Sequence, residues 1–269
     1  SEDPELRGLL VEVDAGGTAW NRATGRVSSS LGNVTLVGLA VNQDGRASAT
    51  TSVQTNGSVR LLARDTVTVN RPNNQTFELL TERAGAVSVG SGSVTEVVPD
   101  QATIATTAVD EQAQRPSRVE VIGRQVDFKS GSLVRVPGGE VRVEALPNPG
   151  VTRPGGDVPL PVDPSSRIRV EAGARIDVAG SVAEADVTRN VVRVELRANE
   201  LRDSPLQRDG ALRGEAVFVD VREGTPLADV SGAIATIARD VNERTGKGGT
   251  ISLVSRGDVV VADGATLDV

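Results

Sequence analysis

Residues 249–269 read Gly-Thr-Ile-Ser-Leu-Val-Ser-Arg-Gly-Asp-Val-Val-Val-Ala-Asp-Gly-Ala-Thr-Leu-Asp-Val. Three short β-branched runs follow one another, separated only by brief corners rich in Gly, Asp and Ala. The same rhythm recurs upstream at 119–122, 126–128, 133–136 and 141–145. The run starts, at 119, 126, 133 and 141, are nearly evenly spaced. Three runs therefore span about 22 residues, close to one coil of a parallel β-helix. Connections this short leave no room for crossover helices, so parallel pairing has to come from coiling rather than from βαβ units.

Composition agrees. The 269 residues suffice for one large all-β domain. There is no Cys, His, Met or Tyr, only three Phe, and a single Trp, Trp20. Val, Leu, Ile and Ala must therefore fill the core, which suits a narrow stacked interior better than large rings do. The net charge is −7, with arginines scattered along the chain. An acidic chain of this kind argues against a nucleic-acid partner. No apolar run reaches the ~18 residues of a membrane span. The start at Ser1-Glu-Asp-Pro and the stop at Val269 inside a repeat lead us to expect a piece of a longer protein.

Two stretches interrupt the rhythm. Residues 146–166 hold six of the thirteen prolines. Proline cannot donate to a strand ladder, so this is a loop leaving the coil. Residues 182–247 differ in kind. Runs at 191–196 and 215–221 read as strands. Leu227, Val230, Ile234, Ile237 and Val241 then follow a 3–4 spacing. With Thr225 as a cap, Pro226 in the first turn and Gly246 beyond the end, the spacing predicts a helix over 226–244. The expected organisation is coil over 1–181 with the Pro-rich loop, a side insertion over 182–247 containing one α-helix, and coil again over 248–269. Setting both interruptions aside leaves ~8 coils and a shaft of ~40 Å. Ile251, Leu253, Val260 and Leu267 are expected to point inward, and the helix is expected to lie on the coil through Leu227, Val230, Ile234, Ile237 and Val241.

The closing repeat at 248–269 resembles the filamentous haemagglutinin family, large exoproteins of Gram-negative bacteria exported by two-partner secretion. The text from Val194-Glu-Leu-Arg-Ala-Asn-Glu-Leu-Arg-Asp-Ser-Pro-Leu-Gln-Arg-Asp-Gly to Gly224-Thr-Pro-Leu-Ala-Asp-Val-Ser-Gly also looks like a segment of large members. The resemblance implies a right-handed parallel β-helix, a secreted or cell-surface location and export through an outer-membrane transporter. It also implies a role in adhesion or biofilm, with a host receptor or surface polysaccharide as ligand. The family's secretion domain carries Asn-Pro-Asn-type motifs. Arg71-Pro-Asn-Asn and Leu146-Pro-Asn-Pro-Gly do not match them, which points to shaft rather than secretion signal.

Without His or Cys there is no Ser-His-Asp triad, no thiol nucleophile and no zinc site of the usual kind. No cofactor and no enzymatic activity are expected. The alternatives are a β-helix enzyme that degrades polysaccharide, for which Asp110-Glu111 and Glu184-Ala-Asp186 are the nearest carboxylates, and the stalk of a toxin-delivery exoprotein. Arg256-Gly257-Asp258 is the one candidate binding motif. Relatives in the resembled family use such a tripeptide on host integrins. The competing reading is a plain corner, where Gly and Asp serve to turn the chain.

Overall fold

The step from one run to its repeat is one circuit of a coil. Arg118 pairs in parallel with Glu140, and Val121 with Val143. The computed structural model describes residues 8–12, 17–64, 67–73, 76–81, 85–102, 105–108, 111–147, 164–197, 201, 208–227 and 229–269. The first rung of the coil is β1 (Gly8–Glu12), β2 (Thr18–Asn21) and β3 (Arg26–Ser29). The second is β4 (Asn33–Gly38), β5 (Ala40–Gln43) and β6 (Arg46–Thr51). In the third rung β7 (Ser58–Ala63) is followed by an antiparallel excursion, β8 (Val67–Asn73) and β9 (Thr76–Thr81), before β10 (Ala86–Val89) and β11 (Val94–Pro99). The fourth is β12 (Arg118–Gly123), β13 (Gln125–Phe128) and β14 (Leu133–Arg135). The fifth is β15 (Glu140–Ala145), β16 (Arg167–Val170) and β17 (Arg175–Asp177). An antiparallel pair, β18 (Val191–Glu195) and β19 (Ala216–Asp220), and a single helical turn, α1 (Val241–Arg244), precede the sixth rung of β20 (Thr250–Ser255), β21 (Asp258–Val261) and β22 (Thr266–Asp268).

Stacked, these rungs make three six-stranded parallel sheets. The first is β1-β4-β7-β12-β15-β20, the second β2-β5-β10-β13-β16-β21 and the third β3-β6-β11-β14-β17-β22. Side chains alternate in and out. Inside, residues of like kind lie above one another: Val34, Val59, Val119, Val141 and Ile251 in the first sheet, and Ala19, Val41, Val87, Val126 and Ile168 in the second. Apart from Ile251, at the edge rung, these are at most 1% exposed. Each such Val or Ile side chain contributes about 1.5–3 kcal/mol by leaving water, and the ladder satisfies its backbone at the same time.

Several expectations need correction. Among the described residues the shaft has six rungs, not eight, because β8 and β9 pair with each other outside the coil and no strand of the three long sheets falls between β11 and β12; six strands at ~4.8 Å stack to about 29 Å. The continuous helix 226–244 does not form. Asp229 turns back to accept from the Ser231 backbone N–H at 3.0 Å and the Ser231 hydroxyl at 2.7 Å. A 3-10 segment covers Ser231–Thr236. Asp240 then adopts extended backbone and caps α1, accepting from the Glu243 N–H while Glu243 accepts from the Asp240 N–H. The Asp229 side-chain turn and the Asp240 cap thus break what the apolar spacing alone would join. Val230, Ile237 and Val241 are buried, Leu227 is half-buried, and Ile234 is 49% exposed. Val230 packs not on the coil but in a separate cluster with Leu196, Leu201 and Val219.

Val260 is stacked on Arg169 and faces outward. Its neighbours Val259 and Val261 continue the inward columns of Ile168 and Val170. Ile251 and Leu253 pack on the core as expected, while Leu267 follows the buried Ile176 in register yet stays 41% exposed, because β22 is a sheet edge. A ring does enter the core: Phe128 is fully buried between Val89 and Val170. Among the described residues no helix is long and apolar enough to cross a membrane.

Candidate binding surface

The corners joining the second sheet to the third are all short. At 90–93, 129–132, 171–174 and 262–265 the first carbonyl accepts from the fourth residue's N–H at 3.0–3.1 Å. The third residue is glycine with φ of +71°, +75°, +80° and +83°. That is the type II turn, whose third position excludes most side chains. The long excursions leave from the other two corners, on either side of the first sheet. The long connections β7 to β10 and β15 to β16 fall where that sheet meets the second, and β11 to β12 and β17 to β20 where the third meets it. Residues 148–163, most of the Pro-rich loop, lie outside the described residues.

The two excursions from the third sheet's corner meet each other, although two rungs separate their origins. Thr107 and Arg239 exchange backbone hydrogen bonds of 3.1 and 3.0 Å. Arg244 of α1 donates through Nη2 to the carbonyls of Ala108, at 3.2 Å, and Gln112. Its Nε and Nη1 are buried without a partner. Arg189 secures the same turn, 2.8 Å from Glu243 and 3.6 Å from Asp240. The Ser181 and Thr245 hydroxyls meet at 2.9 Å where the insertion rejoins the shaft. The short sequence Arg-Asp-Val-Asn-Glu-Arg at 239–244 thus provides the bridge to Thr107, the Asp240 cap and the Arg244 clamp together.

Between the second-rung corner and the strap so held lies an open groove of about 520 Å³. Its walls carry four amides, Gln54, Asn56, Gln112 and Gln114, with Glu111 and Arg115 beside them. Such a lining offers paired donors and acceptors rather than an apolar floor. Further out, β18 and β19 leave Phe218 73% exposed on the face opposite their apolar cluster.

The outer face of the first sheet, between the excursions, is a ladder of charges. Arg60 lies 3.7 Å from Glu120 and Arg142 3.9 Å from Glu120. Arg142 also reaches Glu144 at 2.5 Å, and Arg118 reaches Glu140 at 2.7 Å. The hydrogen bond to Glu144 raises the Arg142 pKa further. These pairs fix register and charge pattern more than they stabilise, since half-exposed pairs are worth about 0–1 kcal/mol.

The residues singled out from sequence are spread along the shaft. Arg256-Gly257-Asp258 forms the corner from β20 to β21. The Arg256 N–H donates to the Ala145 carbonyl at 3.1 Å and the Asp258 N–H to that of Ser166 at 3.1 Å. The Arg256 side chain is half-buried with Nε enclosed, and Asp258 is exposed. Asp110 lies outside the described residues. Glu111 is exposed, accepts from the Thr107 hydroxyl at 3.3 Å, and lines the groove. Glu184 is exposed, and Asp186 caps the 3-10 turn Val187–Asn190. Hydrogen bonds from the Thr188 N–H and hydroxyl hold the Asp186 carboxyl below its ordinary pKa. Among the described residues no three acidic side chains gather as a cation site. Sequence reasoning missed Arg244 and Trp20. The available signals were the capping box around 240–243 and the singularity of the tryptophan. Comparison of the chain with protein-family models, with curated proteins and with solved structures found no match.

Proposed function

We propose that this chain is a shaft segment of a large secreted bacterial surface exoprotein of the filamentous haemagglutinin type, serving cell adhesion or biofilm. In this reading the coil is right-handed, as parallel crossover connections are in about 98% of cases. The exoprotein leaves the cell through an outer-membrane two-partner transporter and stays at the surface or is released. One observation carries the reading. Among the described residues six stacked rungs build length, the long connections leave from two corners, and two of them are clamped together by Arg244 beside an amide-lined groove. A repeat extends a shaft by adding interfaces, and departures from the repeat are where binding can differ. The ligand class is a host receptor or a surface polysaccharide.

The test is adhesion of the purified fragment, immobilised on beads, to host cells and to biofilm matrix. Replacing 182–247 by a short Gly-Ser linker should keep the β circular dichroism and lower bead capture. Unchanged capture, or polysaccharide cleavage abolished by altering one Asp or Glu, overturns the proposal.

A further inference from the structure

The chain's single tryptophan is held in place, yet it stays in water. Trp20 lies between the buried Ala19 and Asn21 and therefore projects from the outer face of the second sheet. Its indole N–H donates to Oδ2 of Asp44, in the turn of the next rung, at 2.5 Å. The Arg22 guanidinium lies over the ring, 4.9 Å from its centroid. Asp44 is itself packed against the third rung: a Cβ on Gly90 would collide with its Oδ1, so glycine there makes room for the carboxylate. The indole is thus fixed through contacts that reach two rungs away. It nevertheless remains 55% exposed, a surface that would favour burial if stability were its only task.

The groups beside the ring are hydrogen-bonding ones at ladder spacing. Asn42 is the register partner of Trp20, one step of ~4.8 Å away, and Ser88 lies one step further along the sheet. A pyranose has the complementary form, with a C–H face that packs on an aromatic ring and a rim of hydroxyls that suits amide, hydroxyl and carboxylate neighbours. Arg22 occupies one ring face, leaving the opposite face for the sugar. The Asp44 carboxylate and the Arg22 guanidinium beside the indole balance each other, which suits a neutral sugar better than a sulfated or carboxylated one.

We propose that Trp20, held by Asp44 and Arg22 and flanked by Asn42, is a platform for a neutral pyranose unit of a glycan. This goes beyond the shaft reading, which places adhesion on the excursions from the opposite corner. The two fail separately, because the 182–247 replacement leaves Trp20 intact.

With one Trp and no Tyr, the emission of the whole chain reports this site alone. The probes are lactose and maltotetraose as neutral sugars and a heparin octasaccharide as the sulfated one. At least one neutral sugar should change the emission saturably, with a Kd on the order of 1 mM. Asn42→Ala should weaken that binding about tenfold. Saturation transfer from protein to sugar by NMR should persist in Trp20→Phe and vanish in Trp20→Ala, with an unchanged circular dichroism spectrum. The proposal is overturned by the absence of saturable change with both neutral sugars, by a response to heparin alone, or by transfer that survives Trp20→Ala.

Discussion

Asn21 donates through Nδ2 to Oε1 of Gln43 over 2.7 Å inside the coil, one rung apart. Gln43 passes the link on, its Nε2 donating to the carbonyls of Gly45 and Val94 at 3.1 Å each. Two amides thus join three rungs within an otherwise apolar interior, where an unmet donor or acceptor is costly. Gln43→Leu takes one of two acceptors from the Asn21 amide, which keeps the Arg46 carbonyl at 3.1 Å, and leaves the Val94 carbonyl without its side-chain donor; it should lower the unfolding free energy by about 1–3 kcal/mol. Adding Asn21→Leu should cost less than the sum of the single changes. Urea denaturation of the three variants checks this.

Position decides sensitivity around the 3-10 segment. Ile234 is 49% exposed and Ile237 only 5%. Ile234→Asp should stay within about 0.5 kcal/mol of the parent, whereas Ile237→Asp should cost about 3 kcal/mol or more. Thermal melts of the two variants separate a broken helix from a continuous one lying on the coil.

Arg244→Ala removes both carbonyl contacts to the 100–117 excursion. Charge-assisted bonds of this kind are worth about 1.5–3 kcal/mol each at most. Amide hydrogen exchange at 105–108 and 111–115 should accelerate, while exchange in β12 and β15 stays unchanged. Equal acceleration in those strands shows the clamp to be part of the core.

Acid should weaken the 182–247 insertion. Arg222, bonded to Asp220 at 2.5 and 3.0 Å, lowers that carboxyl from 3.8 to about 2. Asp186 is held down mainly by Thr188 and Glu195 mainly by Arg197. A lowered carboxyl favours the fold fully above its ordinary value and loses that contribution as pH falls through its folded value. The melting temperature should therefore be flat near neutrality and fall between the ordinary values of 3.8–4.5 and about 2. Arg222→Gln should shrink the fall, as circular dichroism melts over that range will register.

The coil was legible in the sequence wherever corners were short, because a circuit of about 22 residues shows directly in the spacing of Val and Ile. Rung number was not. Val-Thr-Val-Asn in β8 and Phe-Glu-Leu-Leu in β9 have the composition of coil strands, and only the pairing partner distinguishes an excursion from a rung. Val259, Val260 and Val261 carry no in-out alternation, so the preceding corner sets their facing. The 3–4 spacing from Leu227 to Val241 was real, but Asp229 and Asp240 supplied local partners that outcompete a continuous helix. The clamp joins Arg244 to Ala108 and Gln112, far apart in the chain, and no local pattern announces such a contact.

Arg118 and Glu140 are neighbours across one ladder step, with a single short circuit of chain between them. Glu140 and Thr250 are neighbours across the next step, yet the Pro-rich loop and the whole 178–249 excursion lie between them in the chain. Ladder hydrogen bonds run along the shaft, so tension on its ends loads them directly. Peeling an uninterrupted rung releases about 70 Å of extended chain, while the rung that carries the large insertion holds about 360 Å. Decoration at the corners thus doubles as stored length: under load, this segment yields by paying out line rather than by snapping.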